Sequence, residues 1–421
     1  MSAPIRPDLD RVARDLEILA SYSDPDAPGW TRRVFSDFDR AGRQWVAETM
    51  EQAGLSVEVD AAANLIGRLP GAGAAGAIVT GSHTDTVSGG GRFDGIIGVL
   101  GAIEAVRCLA EAGVQLSHDL VVVDFLGEEP NDFGLSCVGS RAVAGALDDS
   151  HLALLGPDGH RLADAIAAAG GRPDDLAEAR WPADLHCYLE LHIEQGPVLE
   201  TAGIPIGIVT GIAGIHRLLA RIVGQADHAG TTPMVLRRDA LLGAAEAALA
   251  VERLAEGGVA TTGRFETRPG ALNVVPAEAE LWAEARSTDP EWLDSFGRRF
   301  TEVLEAMGER RHLSTELSWL SRSAPVPVTP FVAEAMTTAA RARGIEAIDI
   351  PSGAGHDASH MARLGPMGMV FVPSRGGRSH CPEEWTETRQ IGTGITVLTE
   401  SMIILDNREE AAPGEAVQRA I

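Results

Sequence analysis

Histidine and carboxylate side chains occur at or just past the ends of several strands that the apolar pattern predicts. The clearest case is residues 81–87, where His83 follows the apolar run 77–80. Such a run is typical of a buried strand, and glycines at 89–91 and 95 allow close turns in the loop that follows. Five residues of this kind could converge at one edge of a sheet: His83, Asp94, Glu129, His192 and His380.

These five residues offer nitrogen and oxygen donors and no thiolate. The set suits Zn²⁺, Mn²⁺, Co²⁺ or Ni²⁺ rather than an iron–sulfur cluster or a structural cysteine site. Five donors exceed what a tetrahedral zinc with one open position needs, and they fit two metals about 3.5 to 4 Å apart sharing one carboxylate. Taken singly, each residue has a simpler interpretation, because a histidine near a strand end is often a hydrogen-bonded loop residue.

The adjacent carboxylates Glu128 and Glu129 favour the metal-site interpretation. Two neighbouring carboxylates at a buried strand end repel each other and lose hydration unless a cation or a shared proton compensates. Because successive side chains diverge, one carboxylate can bind metal while the other holds a proton for catalysis.

Helices and strands alternate along the part of the chain that carries these residues. Polar residues at the ends of such strands are typical of sites in open α/β sheets. We therefore predict an α/β fold with a large catalytic domain whose mixed, mainly parallel sheet is flanked by helices. The predicted elements are helices within 7–54 broken by a loop at 23–29, strands at 56–59 and 64–69, a helix at 96–112, strands at 120–125 and 185–193, and peripheral helices within 157–183.

From about residue 211 the pattern changes to that of a smaller α+β unit. Its strands are predicted at 216–223, 259–266, 279–287 and 313–320, with helices at 236–254 and 292–307. A proline-rich stretch at 323–330 follows, and then helix 331–343, strands 347–350 and 367–372 and helix 390–406 resume the first pattern. The predicted division is a metal-binding catalytic domain at 1–210 and 327–421, with an inserted lid or dimerisation domain at 211–326.

Composition limits the classes of partner. The formal net charge of −25 argues against nucleic acid and anionic membranes, because binding to either depends mainly on attraction to phosphate. No run approaches the roughly 18 apolar residues of a membrane span, and the N-terminus lacks the apolar core of a signal peptide. The four scattered cysteines favour neither disulfides nor a zinc finger. We expect a cytoplasmic enzyme.

The motifs around these residues resemble those of the hydantoinase/carbamoylase family of dinuclear metallohydrolases. The resemblance extends over nearly the whole chain in order, and HIEQGP with GHDA is similar to this family rather than to related aminoacylases and carboxypeptidases. The motifs are GSHTDTV, RFDG, FLGEEP, LELHIEQGPVLE, GQADHAGTTPM, NVVPAEAELWAEARSTD, SGAGHDA and VPSRGGRSHCPEEW. Family members include N-carbamoyl-L-amino acid hydrolases, allantoate amidohydrolases, ureidoglycolate hydrolases and β-ureidopropionases.

The resemblance implies two divalent metal ions per subunit and a role for each donor. His83 and His192 would bind one metal, Glu129 and His380 the other, and Asp94 would bridge them. Glu128 would be the general base, which requires a carboxylate that is not itself a ligand. Asp85 resembles the carboxylate that orients a ligand imidazole.

The resemblance also implies a set of substrate-binding residues. Arg286 would bind the substrate carboxylate through its planar guanidinium, and His228 would polarise the scissile carbonyl and stabilise the oxyanion. Each has a structural alternative: Arg286 as a surface ion-pair residue, His228 as a loop histidine, Asn273 as a turn former, and His356 with Asp357 as a helix cap. The implied companions are Gln195, Asn273, Gly355 and His356.

These expectations define an amidohydrolase that cleaves the ureido C–N bond of an N-carbamoyl-L-amino acid to the amino acid, ammonia and carbon dioxide. Allantoate, ureidoglycolate or β-ureidopropionate is the alternative substrate. An aminoacylase or dipeptidase, or an inactive binding protein on the same fold, is a further alternative. The family resemblance implies a homodimer formed through the inserted domain, and it implies that the inserted domain closes on a small ureido acid.

Overall fold

The structure is a computed structural model that describes residues 5–408. The chain divides into two compact units. The first unit comprises the residues up to Thr210, the segment Val328–Ile350 and the residues from Gly355 onward, and the second comprises Gly211–Pro327 and Pro351–Ala354. The segment 351–354, which the sequence division assigned to the catalytic domain, groups with the second unit.

Strands and helices alternate through the first unit, whereas strands are more frequent in the second. The strands are β1 Ser56–Val59, β2 Leu65–Leu69, β3 Ala77–His83, β4 Asp119–Phe125, β5 Cys187–Ile193, β6 Ile206–Ile212, β7 Gly214–Val223, β8 Asp227–His228, β9 Val259–Arg268, β10 Val274–Val275, β11 Glu278–Ser287, β12 Ser314–Arg322, β13 Val326–Pro327, β14 Ala347–Ser352 and β15 Met367–Val372. The α-helices are α1 Leu9–Ser21, α2 Asp37–Gln52, α3 Ile96–Ala112, α4 Val138–Val143, α5 Asp149–Leu152, α6 Leu162–Ala168, α7 Val198–Ala202, α8 Ala240–Leu254, α9 Pro290–Arg311, α10 Pro330–Ala342, α11 Ala358–Met361 and α12 Thr388–Asp406.

The large sheet has nine strands in the order β1-β2-β4-β3-β5-β15-β6-β13, and β14 pairs with β6. Its centre is parallel, from β4 through β3 and β5 to β15, and its outer pairs are antiparallel. The central strands are buried on both faces, as their continuous apolar runs require. The predicted α/β class, with a mixed sheet between helices, is confirmed.

Helix α3 packs closely on the two strands that carry the first histidines. A Cβ on Gly98 would lie 2.5 Å from Ser82 Cβ and 2.7 Å from the Leu191 carbonyl oxygen, so only glycine permits this approach. Helices α1, α10 and α12 add apolar side chains to the same core. The strand ends near His83 and His192 therefore rest on a tightly packed layer.

The second unit contains a four-stranded antiparallel sheet in the order β12-β7-β11-β9. Residues of β7 and β11 alternate between buried and more exposed positions, and the buried ones pack with α8 and α9 into a separate core. The opposite face is polar. This two-layer arrangement agrees with the α+β pattern of the sequence.

The structure differs from the predicted elements at the start of α8, where a capping residue sets the boundary, and at β6, where glycines hid a strand. Helix α8 begins at Ala240 rather than at 236, because the Asp239 carboxylate accepts a hydrogen bond from Leu242 N and caps the helix. Strand β6 was not predicted, since its sequence IGIVTGI contains two glycines.

Among the described residues, no helix is long and apolar enough to cross a membrane.

Asp406, at the end of α12, fastens this helix to the beginning of β4. Its carboxylate accepts hydrogen bonds from the backbone N–H groups of Ser117 and His118 and from His118 Nδ1, at 2.8–2.9 Å. Burial acts to raise the pKa of Asp406, but these hydrogen bonds outweigh it and the pKa is lowered.

We predict that Asp406→Asn lowers the free energy of unfolding by about 1.5–3 kcal/mol at pH 7, as expected for hydrogen bonds to a charged group. A lowered folded-state pKa stabilises the fold above the unfolded-state pKa of about 3.9, and this contribution is lost as the pH falls through the folded-state pKa. The difference in the free energy of unfolding between variant and parent, measured by chemical denaturation, should therefore become smaller as the pH is lowered from 6 to 3. Glu334→Gln, on the exposed side of α10, is the control. A difference independent of pH would contradict this explanation.

Candidate metal centre

Besides the group Glu190, His192 and His356, the described residues form two groups of possible metal donors at the sheet edge, and the first of these two is His83, Asp94 and His192. The donor atoms of these three buried residues lie within 4.8 Å of one another. His83 is the last residue of β3, and His192 precedes the last residue of β5. Asp94 lies in the loop before α3, and its Oδ1 is 3.1 Å from His192 Nε2. The parallel strands thus deliver both imidazoles to one edge.

The second donor group contains Asp94 again, together with Glu129 and His380, and its donor atoms also lie within 4.8 Å of one another. His380 Nε2 is 3.3 Å from Asp94 Oδ2 and 3.4 Å from Glu129 Oε1. His380 is half exposed, whereas the two carboxylates are buried. The structure therefore brings all five sequence-predicted donors together, with Asp94 common to both groups.

The imidazoles of the first group have the tautomer that a metal ligand requires. His83 Nδ1 is 3.0 Å from the Asp85 carbonyl oxygen, and His192 Nδ1 is 2.9 Å from that of Ile193. Each Nδ1–H donates to a carbonyl, which leaves the lone pair on Nε2. The N–H of Gly95 donates to His192 Nε2 at 3.2 Å, in agreement with this assignment.

Gly95 is required for the loop of Asp94 to approach His83. Its φ is +68°, and a Cβ at this position would lie 2.2 Å from His83 Nε2. Any other residue would therefore collide with a donor nitrogen.

The crowding of carboxylates makes this a site for cations. Burial, together with the nearby charge of Asp94, raises the pKa of Glu129 to about 7. Such a cluster is costly unless positive charge compensates it. The nitrogen and oxygen donors and their shared carboxylate fit divalent metals of the zinc or manganese type.

Glu128 lies beside the donor groups without belonging to either. Its side chain is only 12% exposed, with Oε2 3.7 Å from His83 Nε2. Cys137 Sγ donates a hydrogen bond to Oε1 at 3.4 Å. Burial raises the pKa of Glu128 well above its ordinary value, and the neighbouring carboxylates Glu129 and Asp357 add to the effect. A carboxyl group in this environment holds a proton more readily than an exposed one, as proton transfer in catalysis requires.

Asp85 connects the first imidazole to the glutamate pair. Its carboxylate accepts hydrogen bonds from the backbone N–H groups of Glu128 and Glu129, at 3.1 and 3.2 Å. Its Oδ1 is 3.4 Å from His83 Nδ1, farther than its own carbonyl oxygen at 3.0 Å. Asp85 therefore orients His83 mainly through its backbone and positions the glutamates through its carboxylate.

Sequence reasoning missed Glu384 and Ser379, which hold the loop of Asp94 in place. Glu384 Oε1 accepts hydrogen bonds from Phe93 N at 2.9 Å and from Asp94 N at 3.1 Å. Ser379 Oγ lies 2.6 Å from Asp94 Oδ2 and 2.9 Å from Glu384 Oε2. Their signal was the motif SHCPEEW, in which a serine and a second acidic residue flank His380.

One hydroxyl hydrogen cannot satisfy two ionised carboxylates. Ser379 donates to Asp94, so the contact with Glu384 Oε2 requires a proton on Glu384. Burial, together with the charge of Asp94, raises the pKa of Glu384 to about 7, so that the protonated form is accessible near neutral pH. The chain of hydrogen bonds therefore runs from Glu384 through Ser379 to Asp94.

Gln195, which is predicted to bind substrate, donates a hydrogen bond to Asp94 Oδ2 at 2.6 Å in this structure. Its φ is +57°, and that of His380 is +56°. Left-handed backbone is costly for residues other than glycine and persists where the surroundings enforce it. Both residues lie against Asp94, so the local strain is concentrated at the shared carboxylate.

His356 and Asp357 lie under the first donor group. The His356 ring is 4.5 Å from that of His192 and perpendicular to it. Asp357 is fully buried, and its Oδ1 lies 2.5 Å from Ser140 Oγ in α4. Asp357 is the N-cap residue of α11, as the helix-cap alternative expected, but its carboxylate is directed to α4 and makes no capping hydrogen bond. Gly355 begins this segment, and a Cβ there would meet open space.

Three of the predicted substrate residues belong to the second unit. His228 and Asn273 are neighbours on the β8–β10 ladder, where the Asn273 carbonyl accepts a hydrogen bond from Ala229 N. His228 Nδ1 accepts hydrogen bonds from the N–H groups of Gly230 and Thr231, at 3.0 and 3.1 Å. Because Nδ1 accepts these hydrogen bonds, the ring hydrogen lies on Nε2, which is a donor. Arg286 pairs with Glu284 and donates to the carbonyl oxygen of Gly353.

Comparison with known proteins agrees with this geometry. Residues 79–403 match the model of the peptidase family M20/M25/M40. The chain is 39% identical over 404 residues to an N-carbamoyl-L-amino-acid amidohydrolase of Paenarthrobacter aurescens, covering 94% of this chain and 98% of the relative. It is 37% identical to a ureidoglycolate hydrolase of Oryza sativa subsp. japonica, covering 95% and 85% of the two chains.

The structural match is equally extensive. A hydantoinase/carbamoylase family amidase from Burkholderia ambifaria superposes with a TM-score of 0.88 and 35% identity, covering 97% of this chain and all of that one. The chain belongs to the M20 peptidase family of metal-dependent hydrolases. Within that family it is a hydantoinase/carbamoylase amidase, so its class acts on C–N bonds other than peptide bonds.

We predict that Ser379→Ala weakens divalent-metal affinity roughly 10- to 100-fold, the usual effect of removing a residue that supports a ligand. The loss of the hydroxyl removes the donor to Asp94 Oδ2 and the connection to Glu384. Titration of metal-free protein with Mn²⁺ in a calorimeter measures the change directly. Ser21→Ala, in an exposed turn of α1, is the control. Unchanged Mn²⁺ affinity would mean that Asp94 is positioned by other groups.

Proposed function

We propose that this protein hydrolyses the ureido C–N bond of N-carbamoyl-L-amino acids, releasing the amino acid, ammonia and carbon dioxide. The observation that carries the proposal is the pair of donor groups that share Asp94, with Glu128 beside them and outside both. The 39% identical relative with an N-carbamoyl-L-amino-acid amidohydrolase name supports the choice of substrate.

The donor groups provide for two divalent ions per subunit. In this assignment His83 and His192 hold one ion, Glu129 and His380 hold the other, and Asp94 is common to both. Bound there, such ions polarise the carbamoyl oxygen and make water acidic enough to attack at neutral pH. Zn²⁺, Mn²⁺, Co²⁺ and Ni²⁺ all suit the donors.

Glu128 is the proton carrier. Its raised pKa and its position near His83 Nε2 allow it to accept a proton from the attacking water and return it to the leaving nitrogen. Cys137 fixes one carboxylate oxygen by its S–H donor, so the other oxygen is the one available for proton transfer.

The second unit supplies recognition in this proposal. His228 presents Nε2–H as a neutral donor to the carbamoyl oxygen, where negative charge develops as water attacks. Arg286 binds the α-carboxylate and Asn273 assists it, which sets the orientation of the substrate and so its handedness. Gln195, Gly355 and His356 complete the substrate contacts. We further propose that the second unit serves as lid and dimer contact, and light scattering would test the homodimer.

Ureidoglycolate and allantoate are the alternative substrates. A ureidoglycolate hydrolase and, at 31% identity, an allantoate amidohydrolase of Bacillus subtilis (strain 168) are also similar to this chain over more than 90% of its length. Both molecules combine a carboxylate with a ureido group, so the same residues could hold them.

A substrate panel separates these possibilities. Mn²⁺-loaded protein is assayed for ammonia release from N-carbamoyl-L-methionine, N-carbamoyl-L-alanine, allantoate and ureidoglycolate, and for amine release from N-acetyl-L-methionine. Preferential turnover of an N-carbamoyl-L-amino acid is the expected result. Turnover of allantoate or ureidoglycolate alone would replace the proposed substrate, and turnover of only the N-acetyl compound would point to an aminoacylase.

Glu128→Gln should reduce kcat by about 10²- to 10⁴-fold, the usual contribution of a general acid–base group. Gln retains the shape and the contact with Cys137 but cannot accept the proton. The number of bound Mn²⁺ ions, measured by elemental analysis, should be unchanged. Glu383→Gln, an exposed glutamate near His380, is the matched control. Unaltered turnover would remove Glu128 as the base.

Arg286→Lys should raise KM roughly tenfold or more, because a point charge cannot reproduce two parallel hydrogen bonds to a carboxylate. The kcat should change little if the interaction is the same in ground and transition states. Arg264→Lys, another ion-paired arginine of the second unit, is the control. A parental KM would mean that the substrate carboxylate is bound elsewhere.

A further inference from the structure

The guanidinium of Arg286 is held on two sides within the second unit. Its Nε and Nη2 contact Glu284 Oε1 at 2.7 and 2.6 Å, and its Nη1 donates to the Gly353 carbonyl oxygen at 2.8 Å. Glu284 and Arg286 are two residues apart on β11, so their side chains share one face of the sheet.

The other oxygen of Glu284 is also engaged. Arg217 lies directly opposite Glu284 on β7, and its Nε donates to Glu284 Oε2 at 3.1 Å. The Glu284 carboxylate is thus fixed between two arginines. These three side chains, Arg217, Glu284 and Arg286, form what we call the carboxylate bridge, and their charges sum to one positive charge.

The geometry decides which edge of Arg286 remains for a ligand. Guanidinium offers five N–H groups in a rigid fork. Glu284 occupies the edge formed by Nε and Nη2, and Gly353 takes one hydrogen of Nη1. One hydrogen on each Nη remains. Provided that Gly353 takes the Nη1 hydrogen that points away from Nη2, these two lie along the end of the fork, where a second carboxylate can bind in parallel.

We propose that Glu284 is a positioning residue that sets the specificity of this site for a carboxylate, by orienting Arg286 so that its Nη1/Nη2 end faces the substrate. This inference rests on the proposed function, because it takes Arg286 as the group that binds the substrate α-carboxylate. Arg217 fixes Glu284 in turn. The bridge leaves a net positive charge, so a substrate anion neutralises it and an uncharged amide does not.

Shape and charge can be separated at residue 284. Glu284→Asp keeps the charge but shortens the side chain by about 1.5 Å, which breaks the contact with Arg286. Glu284→Gln keeps the length and the acceptor oxygen for Arg286 but removes the charge and the acceptor for Arg217. If Glu284 acts by positioning Arg286, the KM of Glu284→Asp should be raised and the KM of Glu284→Gln should stay close to that of the parent. If only the charge of Glu284 matters, Glu284→Asp should have the parental KM and Glu284→Gln should have an altered KM.

The first test is steady-state kinetics with the best substrate of the panel and with the amide of that substrate's carboxylate. Glu284→Asp should raise KM for the acid roughly three- to tenfold, as expected when a mobile side chain must be ordered on binding, and leave kcat within about twofold. The KM for the amide should not change. Glu280→Asp, on the same face of β11 and paired with Arg268, is the control.

The second test needs no turnover. The Nε–H resonance of Arg286, assigned by its loss in Arg286→Lys, should exchange slowly with water in the parent and in Glu284→Gln, and at least fivefold faster in Glu284→Asp. Equal exchange in parent and Asp variant, or a parental KM in Glu284→Asp, would overturn the inference. If both Arg286→Lys and Glu284→Asp have the parental KM, Arg286 does not bind the substrate carboxylate and the proposed function is wrong on this point. If Arg286→Lys raises KM but Glu284→Asp does not, Arg286 binds the carboxylate and Glu284 does not position it.

Discussion

The candidate centre depends on placing one carboxylate, that of Asp94, between imidazoles that belong to different parts of the chain. Its Oδ1 faces His192 and its Oδ2 faces His380, at 3.1 and 3.3 Å. A carboxylate between two donor groups must stay fixed although other carboxylates repel it. The surrounding structure meets this requirement through the backbone: Glu384 holds the N–H of Asp94, and the missing side chain of Gly95 leaves room for His83.

The two units hold their polar side chains in place by different interactions. The first unit positions its donors by packing, because the ends of buried parallel strands cannot move without disturbing the core beneath them. The second unit positions Arg286 by ion pairs on the polar face of its sheet, where the side chains are partly exposed. Rigid packing suits groups that must meet reacting atoms closely, and an ion-paired arginine suits recognition of an incoming anion.

The parts of the site that follow from strand geometry could be predicted from sequence. His83 and His192 stand at the ends of apolar runs, and parallel strands bring such ends to one edge. Asp94, Glu129 and His380 were predicted in the same way, from their donor types near strand ends, and the family motifs implied a role for each donor. The supporting contacts could not be predicted in the same way, because Glu384 reaches Asp94 across 290 positions and bonds to its backbone, which leaves no trace in sequence periodicity. The contact of Gln195 with Asp94 was missed for the same reason.

The position of β15 in the large sheet governs when the centre can assemble. This strand, Met367–Val372, lies between β5 and β6, yet it is synthesised long after both. The sheet therefore stays split until the last part of the chain emerges, and the loop that bears Ser379, His380 and Glu384 follows directly behind. Contacts of such long range form slowly. A chain interrupted before this point would retain His83, Asp94 and His192 but lack His380, so the second donor group can form only after the chain has been synthesised beyond β15.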